Sequence, residues 1–113
     1  MCSFHTLFHD NKSGYVIRCK GCKNIQVTFG NFIVTFNKAD FNQFITVVKT
    51  LRAQQQQLAD IAVKSLIIPT PCEGVRLLLS YRELQELDSM LDAADTELQS
   101  LEFIALFKEN EIL

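Results

Sequence analysis

From Tyr15 to Phe36 the chain is rich in Val, Ile, Phe and Thr, and short breaks at Lys20-Gly21 and Gly30-Asn31 divide this stretch into three strands. The breaks predict strands at about residues 14–19, 24–29 and 32–36, the last two forming a hairpin around Gly30-Asn31, where both residues tolerate φ > 0. Alternation places Ile25, Val27 and Phe29 on one face, and Phe32, Val34 and Phe36 on one face of the following strand. After Asn37 the period changes from two to about three and a half, and Phe41, Phe44, Ile45, Val48 and Leu51 form a helical stripe. Asn37 can accept hydrogen bonds from first-turn amides, and Asp40 sets a carboxylate near the positive end of the helix dipole.

The same grammar returns further along. A strand at about 64–69 ends in the break Pro69-Thr70-Pro71-Cys72-Glu73-Gly74, a second covers about 75–79, and Ser80-Tyr81-Arg82-Glu83 is a capping box that opens a second helix. Laying Phe32–Leu51 on Val75–Ala94 aligns Asn37 with Ser80, Asp40 with Glu83, Phe41 with Leu84 and Phe44 with Leu87. Strand, strand and capped helix therefore occur twice, by duplication or by chance recurrence of a common motif. The expected fold class is α+β: a mostly antiparallel sheet of about five strands with two or three helices on one face, a ββα repeat, and a single domain over residues 1–113.

Leu84, Leu87, Leu91, Ala94, Leu98, Leu101 and Ala105 recur at spacings of three and four, the seam of a helix that packs on another helix. Unbroken from Tyr81 to Phe107, such a helix is about 40 Å long at 1.5 Å per residue, and a break near Ala93–Thr96 is the alternative. Glu83, Asp88, Asp95, Glu97 and Glu102 flank the seam and would repel one another in a parallel self-pair. From Leu101 to Phe107 apolar residues surround the helix, so Leu98, Leu101, Ile104 and Phe107 are candidate interface residues toward a second copy or a protein partner.

Composition adds bounds. A hydrophobic content of 48% with 21% charged residues in 113 is that of a packed globular chain, and no apolar run spans a bilayer. The amino-terminal residues lack the basic patch and apolar stretch of a secretory signal, so a cytoplasmic location with reduced cysteines is expected. Charge is uneven: residues 1–56 hold seven basic and two acidic side chains, residues 57–113 four basic and eleven acidic. Either the halves compensate within the fold, the preferred reading, or each faces its own partner.

Chemistry-bearing residues are few. Cys19-Lys20-Gly21-Cys22 sits between two strands, where a zinc knuckle would turn the chain, and Cys2 and His5 have the spacing to complete a Cys19, Cys22, Cys2, His5 site for zinc. Against this, the cysteines are two reduced thiols in a tight turn, with Cys72 a small residue in a Pro-rich loop. Thiol redox chemistry is disfavoured, because this pair joins strands rather than opening a helix. His5 and His9 could share one helix face, and Lys12, Arg18, Lys20 and Lys23 near Tyr15 and Phe29 are the sole basis for nucleic-acid binding, which the acidic chain disfavours. No catalytic motif, cofactor signature or small-molecule substrate site is recognisable.

The run Gly14-Tyr15-Val16-Ile17-Arg18-Cys19-Lys20-Gly21-Cys22, followed by Ile25-Gln26-Val27-Thr28-Phe29-Gly30-Asn31, resembles a family of short Bacteroidota proteins of unknown function. The likeness centres on residues 14–52 and includes the Cys-x-x-Cys, the Phe-Gly-Asn turn and the Phe-rich helix. It implies a bacterial, cytoplasmic protein and assigns no functional residue. Two readings stand: a non-catalytic protein-interaction or regulatory module, which is preferred, and a zinc-bearing domain with a protein or nucleic-acid target.

Overall fold

Strand alternation and two helix caps organise the chain. The computed structural model describes residues 3–54 and 63–112. In order these form β1 (Phe4–Asp10), β2 (Gly14–Cys19), β3 (Ile25–Phe29), β4 (Phe32–Phe36), α1 (Lys38–Gln54), β5 (Lys64–Pro69), β6 (Arg76–Ser80) and α2 (Tyr81–Ile112). The first four strands make an antiparallel meander in chain order, and β5 and β6 make a separate two-stranded antiparallel sheet. The five strands and two helices expected from the pattern are present to within a residue at their starts. The expectation of one five-stranded sheet is corrected to four strands plus two.

The added strand is β1. His5 and His9 lie on it, not on a helix face. Its alternation is disguised because the pairing register with β2 shifts between Thr6 and Phe8, and the extra residue, Leu7, is buried. A bulge of this kind turns an apolar side chain inward out of phase and erases the period of two. Gly14 closes the β1–β2 turn at φ 138, and a Cβ there would meet the Thr28 carbonyl oxygen at 1.9 Å. No other residue fits that close strand approach.

Cross-strand ladders show which face carries the core. Val16, Val27 and Val34 oppose one another, as do Ile25 and Phe36, and this face packs against the helices. Tyr15, Ile17, Gln26, Thr28, Ile33 and Thr35 occupy the other face, which no described element covers. Phe36 stacks near Phe44 at 4.9 Å and meets Phe41 edge-on at 6.2 Å, fixing α1 to β4. Leu66, Ile68, Leu77 and Leu79 from the second hairpin join the same core.

Both helix starts are capped as their sequences require. The Asn37 side chain accepts the Asp40 amide at 2.7 Å; the Ser80 amide donates to the Glu83 carboxylate at 2.9 Å and the Glu83 amide to the Ser80 hydroxyl at 3.2 Å. Satisfying otherwise orphaned amides is worth about 1 kcal/mol at each cap. The two ββα units therefore share caps and buried stripes: Phe36, Phe41, Phe44 and Val48 correspond to Leu79, Leu84, Leu87 and Leu91, all buried.

α1 and α2 run antiparallel, tied by Lys38 to Glu102 (2.7 Å), Lys49 to Asp92 (3.2 Å) and Asp88 (3.3 Å), and Arg52 to Asp88 (2.6 Å). Each pair joins the basic half of the chain to the acidic half, so a share of the charge imbalance is met inside the fold. α2 is continuous over 32 residues, with no break at Ala93–Thr96. At 1.5 Å per residue it is about 48 Å long. That length matches a molecule 57 Å in its longest dimension and 28 × 27 Å across.

Candidate functional site

Two places in the fold carry features that packing alone does not require: the β2–β3 turn and the distal end of α2. At the turn, the Cys19 amide donates to the Asn24 carbonyl at 2.9 Å and the Lys23 amide to the Cys19 carbonyl at 3.0 Å, folding the four intervening residues back. The Cys22 amide donates to Cys19 Sγ at 3.4 Å. Lys23 adopts φ 66, the one non-glycine residue with positive φ among the described residues. A lysine there costs roughly 1–2 kcal/mol and persists only where the surroundings hold it. Cys19 is buried and Cys22 exposed, and both line an open groove of about 290 Å³ with Phe4, Ile17, Asn24, Gln26 and Thr35 on the uncovered face of the sheet.

The four residues expected to share a metal are only partly brought together. Cys19 and Cys22 meet, whereas Cys2 lies outside the described residues. His5 pairs with Arg18 in the β1–β2 ladder, and Phe4 pairs with Cys19. Alternation therefore sends the His5 ring to the helix side of the sheet and the cysteine sulfur to the open side. Partial loss of hydration, then the charges of Lys20, Arg18 and Lys23, hold the His5 imidazole below its ordinary value, opposed by Glu97 on α2. Among the described residues no three His, Cys, Asp or Glu side chains gather where one ion could be held. His5 is thus removed from the expected ligand set by strand register, which sequence spacing does not reveal.

The same register bears on the basic residues. Arg18 points to the helix face, half-buried, and its Nε has no hydrogen-bond partner among the described residues. Phe29 is buried in the core, so it offers no stacking platform to a base beside those cations.

At the other end, the α2 seam leaves the domain. Leu91, Ala94 and Leu98 are fully buried and Leu101 half-buried, whereas Phe103, Ile104, Leu106 and Phe107 are 62%, 49%, 60% and 55% exposed. Leu98 therefore belongs to the chain's own core and is corrected from interface to core, because α2 is still covered there by the rest of the domain. Ile104 and Phe107 remain on the free part of the helix, and the rings of Phe103 and Phe107 stack edge-on at 5.0 Å.

A family model described as Family of unknown function (DUF6686) matches residues 1–111. The chain belongs to that family. The match spans the Cys turn, both ββα units and the free end of α2, so each is part of the DUF6686 domain rather than an appendage. Comparison with curated proteins and with solved structures returned no match. Among the described residues of this DUF6686 chain, no helix is long and apolar enough to cross a membrane.

One surface feature escaped sequence reasoning although its signal was present. In Leu66-Ile67-Ile68 three aliphatic residues follow one another in a strand, so the middle one must point outward. Ile67 does, opposite Leu78, and both are exposed on the second hairpin.

Proposed function

We propose that this protein is a non-catalytic protein-interaction module that self-associates through the free end of α2. The observation that supports the reading is the run Phe103, Ile104, Leu106 and Phe107, four large apolar side chains exposed within little more than a helical turn. Single exposed apolar residues are ordinary on protein surfaces; a contiguous cluster on a projecting helix is an association surface.

Helix geometry fits a second copy in antiparallel orientation: a two-fold axis level with Ala105, on the face that carries the rings, sets each chain's Phe103 opposite the other's Phe107. Such a pair covers the apolar cluster of both chains with one isologous contact. Light scattering on wild type and on the Phe103→Ser/Phe107→Ser variant tests it. The expected result is a concentration-dependent dimer for wild type and a folded monomer for the variant, with unchanged helical circular dichroism. A monomeric wild type across the accessible concentration range would refute self-association.

A further inference from the structure

We propose that the open edge of β6 takes up an extended, apolar and acidic segment of a partner protein as an added strand, in the groove between the β5–β6 hairpin and β4. Among the described residues the edge strands are β1, β4, β5 and β6. Two of these are guarded against a further strand. β1 carries the bulge at Leu7; β5 starts at Lys64, shifts register between Lys64 and Leu66, and ends at Pro69. Bulges, lysines and prolines are the devices by which natural sheet edges refuse another chain. β4, with the sequence Phe-Ile-Val-Thr-Phe, has none of them, and β6, with Arg-Leu-Leu-Leu-Ser, has a single cation.

The two unguarded strands border one groove of about 310 Å³, to which β4 contributes Phe32 and β6 contributes Arg76, Leu77, Leu78 and Leu79 in succession. Side chains of a strand alternate between its faces, so a hollow over one face is lined by every second residue. One lined by successive residues runs along the strand's edge, where the N–H and C=O groups turned away from β5 point. Those groups are what an extended segment pairs with in strand addition.

The side chains beside that edge define the occupant. Leu78 and Ile67 oppose each other on the outer face of the hairpin and are both exposed. An added strand sets one of its own residues beside Leu78, and an aliphatic one there extends the apolar cross-strand row. Charge sets the other requirement. Lys64 is held by Glu83 at 2.8 Å, whereas Arg76 has no acidic partner among the described residues, so the groove keeps one uncompensated positive charge. A segment with an acidic residue level with Arg76 meets it. The β4 or β6 strand of a second copy does not, because neither contains an acid. This edge is separate from the free end of α2 and lies outside the self-association reading.

Short blocked peptides of alternating Val and Thr, ending in Asp or in Lys, are the probes, titrated into the full-length chain and followed by backbone amide NMR. Shifts should saturate at one peptide per chain and centre on residues 76–79 and the β3–β4 turn, leaving β1 unaffected. The Asp peptide should bind about fivefold more tightly than the Lys peptide. Arg76→Glu, at an exposed position that folding does not depend on, should reverse that order. A fully N-methylated copy of the Asp peptide has no amide to donate and should not bind. Absence of saturable binding below about 1 mM would overturn the site. So would equal binding by the N-methylated copy, an order unchanged in Arg76→Glu, or shifts centred on another surface. Concentration-dependent shifts at residues 76–79 without peptide would overturn it in favour of β6 pairing with a second copy.

Discussion

The two ββα units of this chain have one local grammar and two different fates. In the first, β3 and β4 are half of a four-stranded sheet and α1 covers 17 described residues. In the second, β5 and β6 form a two-stranded sheet of their own, and α2 continues for 32 residues, past the end of the core. The caps are equivalent, and so are the stripes that face the core. They differ most clearly where Ile45 of α1 corresponds to Asp88 of α2. Both residues are 7% exposed, yet one is aliphatic and the other holds Arg52 and Lys49. At this position the first unit contributes burial, while its Lys49 and Arg52 supply the cations that the second unit's Asp88 holds. The second orients its helix with buried charge and sends the helix end outside the fold, where an interaction surface can form.

Matched truncation of the two stripes breaks this comparison most forcefully. Phe41→Ala and Leu84→Ala, at corresponding and fully buried positions, should each lower unfolding free energy by about 3–5 and 2–5 kcal/mol respectively. Both should show a single cooperative denaturant transition, since both units share one core. Two separate transitions would show that the units fold independently.

Asp88 offers a sharper probe. Asp88→Ala leaves Arg52 and Lys49 without their buried acceptor and should cost about 1–3 kcal/mol, the bonded partners being partly solvated. Asp88→Ile, which copies the first unit, should recover most of that loss, because apolar replacement of a buried ion pair is often neutral. Denaturant midpoints decide it. An isoleucine variant no better than alanine would mean that the ion pairs, not packing, hold α2 in place.

The caps come next in size. Asn37→Ala and Ser80→Ala should each cost about 1 kcal/mol in urea unfolding. Unequal losses would show that the second cap, with its reciprocal glutamate, carries more than its counterpart.

The smallest effect belongs to pH and appears in the second unit. Partial burial alone would raise the Glu83 carboxyl, but hydrogen bonds from Lys64 and from the Ser80 amide outweigh it and hold the group below its ordinary 4.5. A depressed folded value means that Glu83 contributes stability above pH 4.5, and that this contribution fades as pH falls through the folded value. Glu83→Gln keeps the cap and removes the titration. Its urea midpoint should therefore fall less on acidification than that of wild type.

Much of this architecture was legible in the sequence because it is local. Alternation marked Ile25, Val27 and Phe29; the change of period at Asn37 and the Ser80–Glu83 box marked both helix starts. What escaped depends on pairing. β1 was hidden by the bulge at Leu7, and the division into two sheets arises because, among the described residues, β6 pairs only with β5. The candidate metal residues show the same limit. Spacing grouped Cys19, Cys22, Cys2 and His5, but the Phe4–Cys19 register sends His5 to the opposite side of the sheet. Likewise the seam through Leu98 and Leu101 looked continuous with Ile104 and Phe107, although only the tertiary fold decides where the core ends and the free helix begins.

The central claim, that the free end of α2 meets its counterpart in an antiparallel pair, can be tested most directly by disulfide trapping. An axis level with Ala105 on the ring-bearing face sets each chain's Phe103 opposite the other's Phe107 and keeps the two copies of Ser100, which shares that face, apart. Under mild oxidation, a mixture of Phe103→Cys and Phe107→Cys chains should yield the mixed disulfide-linked dimer on a non-reducing gel, beyond any background from the four native cysteines, and Ser100→Cys alone should not. Cross-linking of Ser100→Cys, or no mixed dimer, would contradict the account.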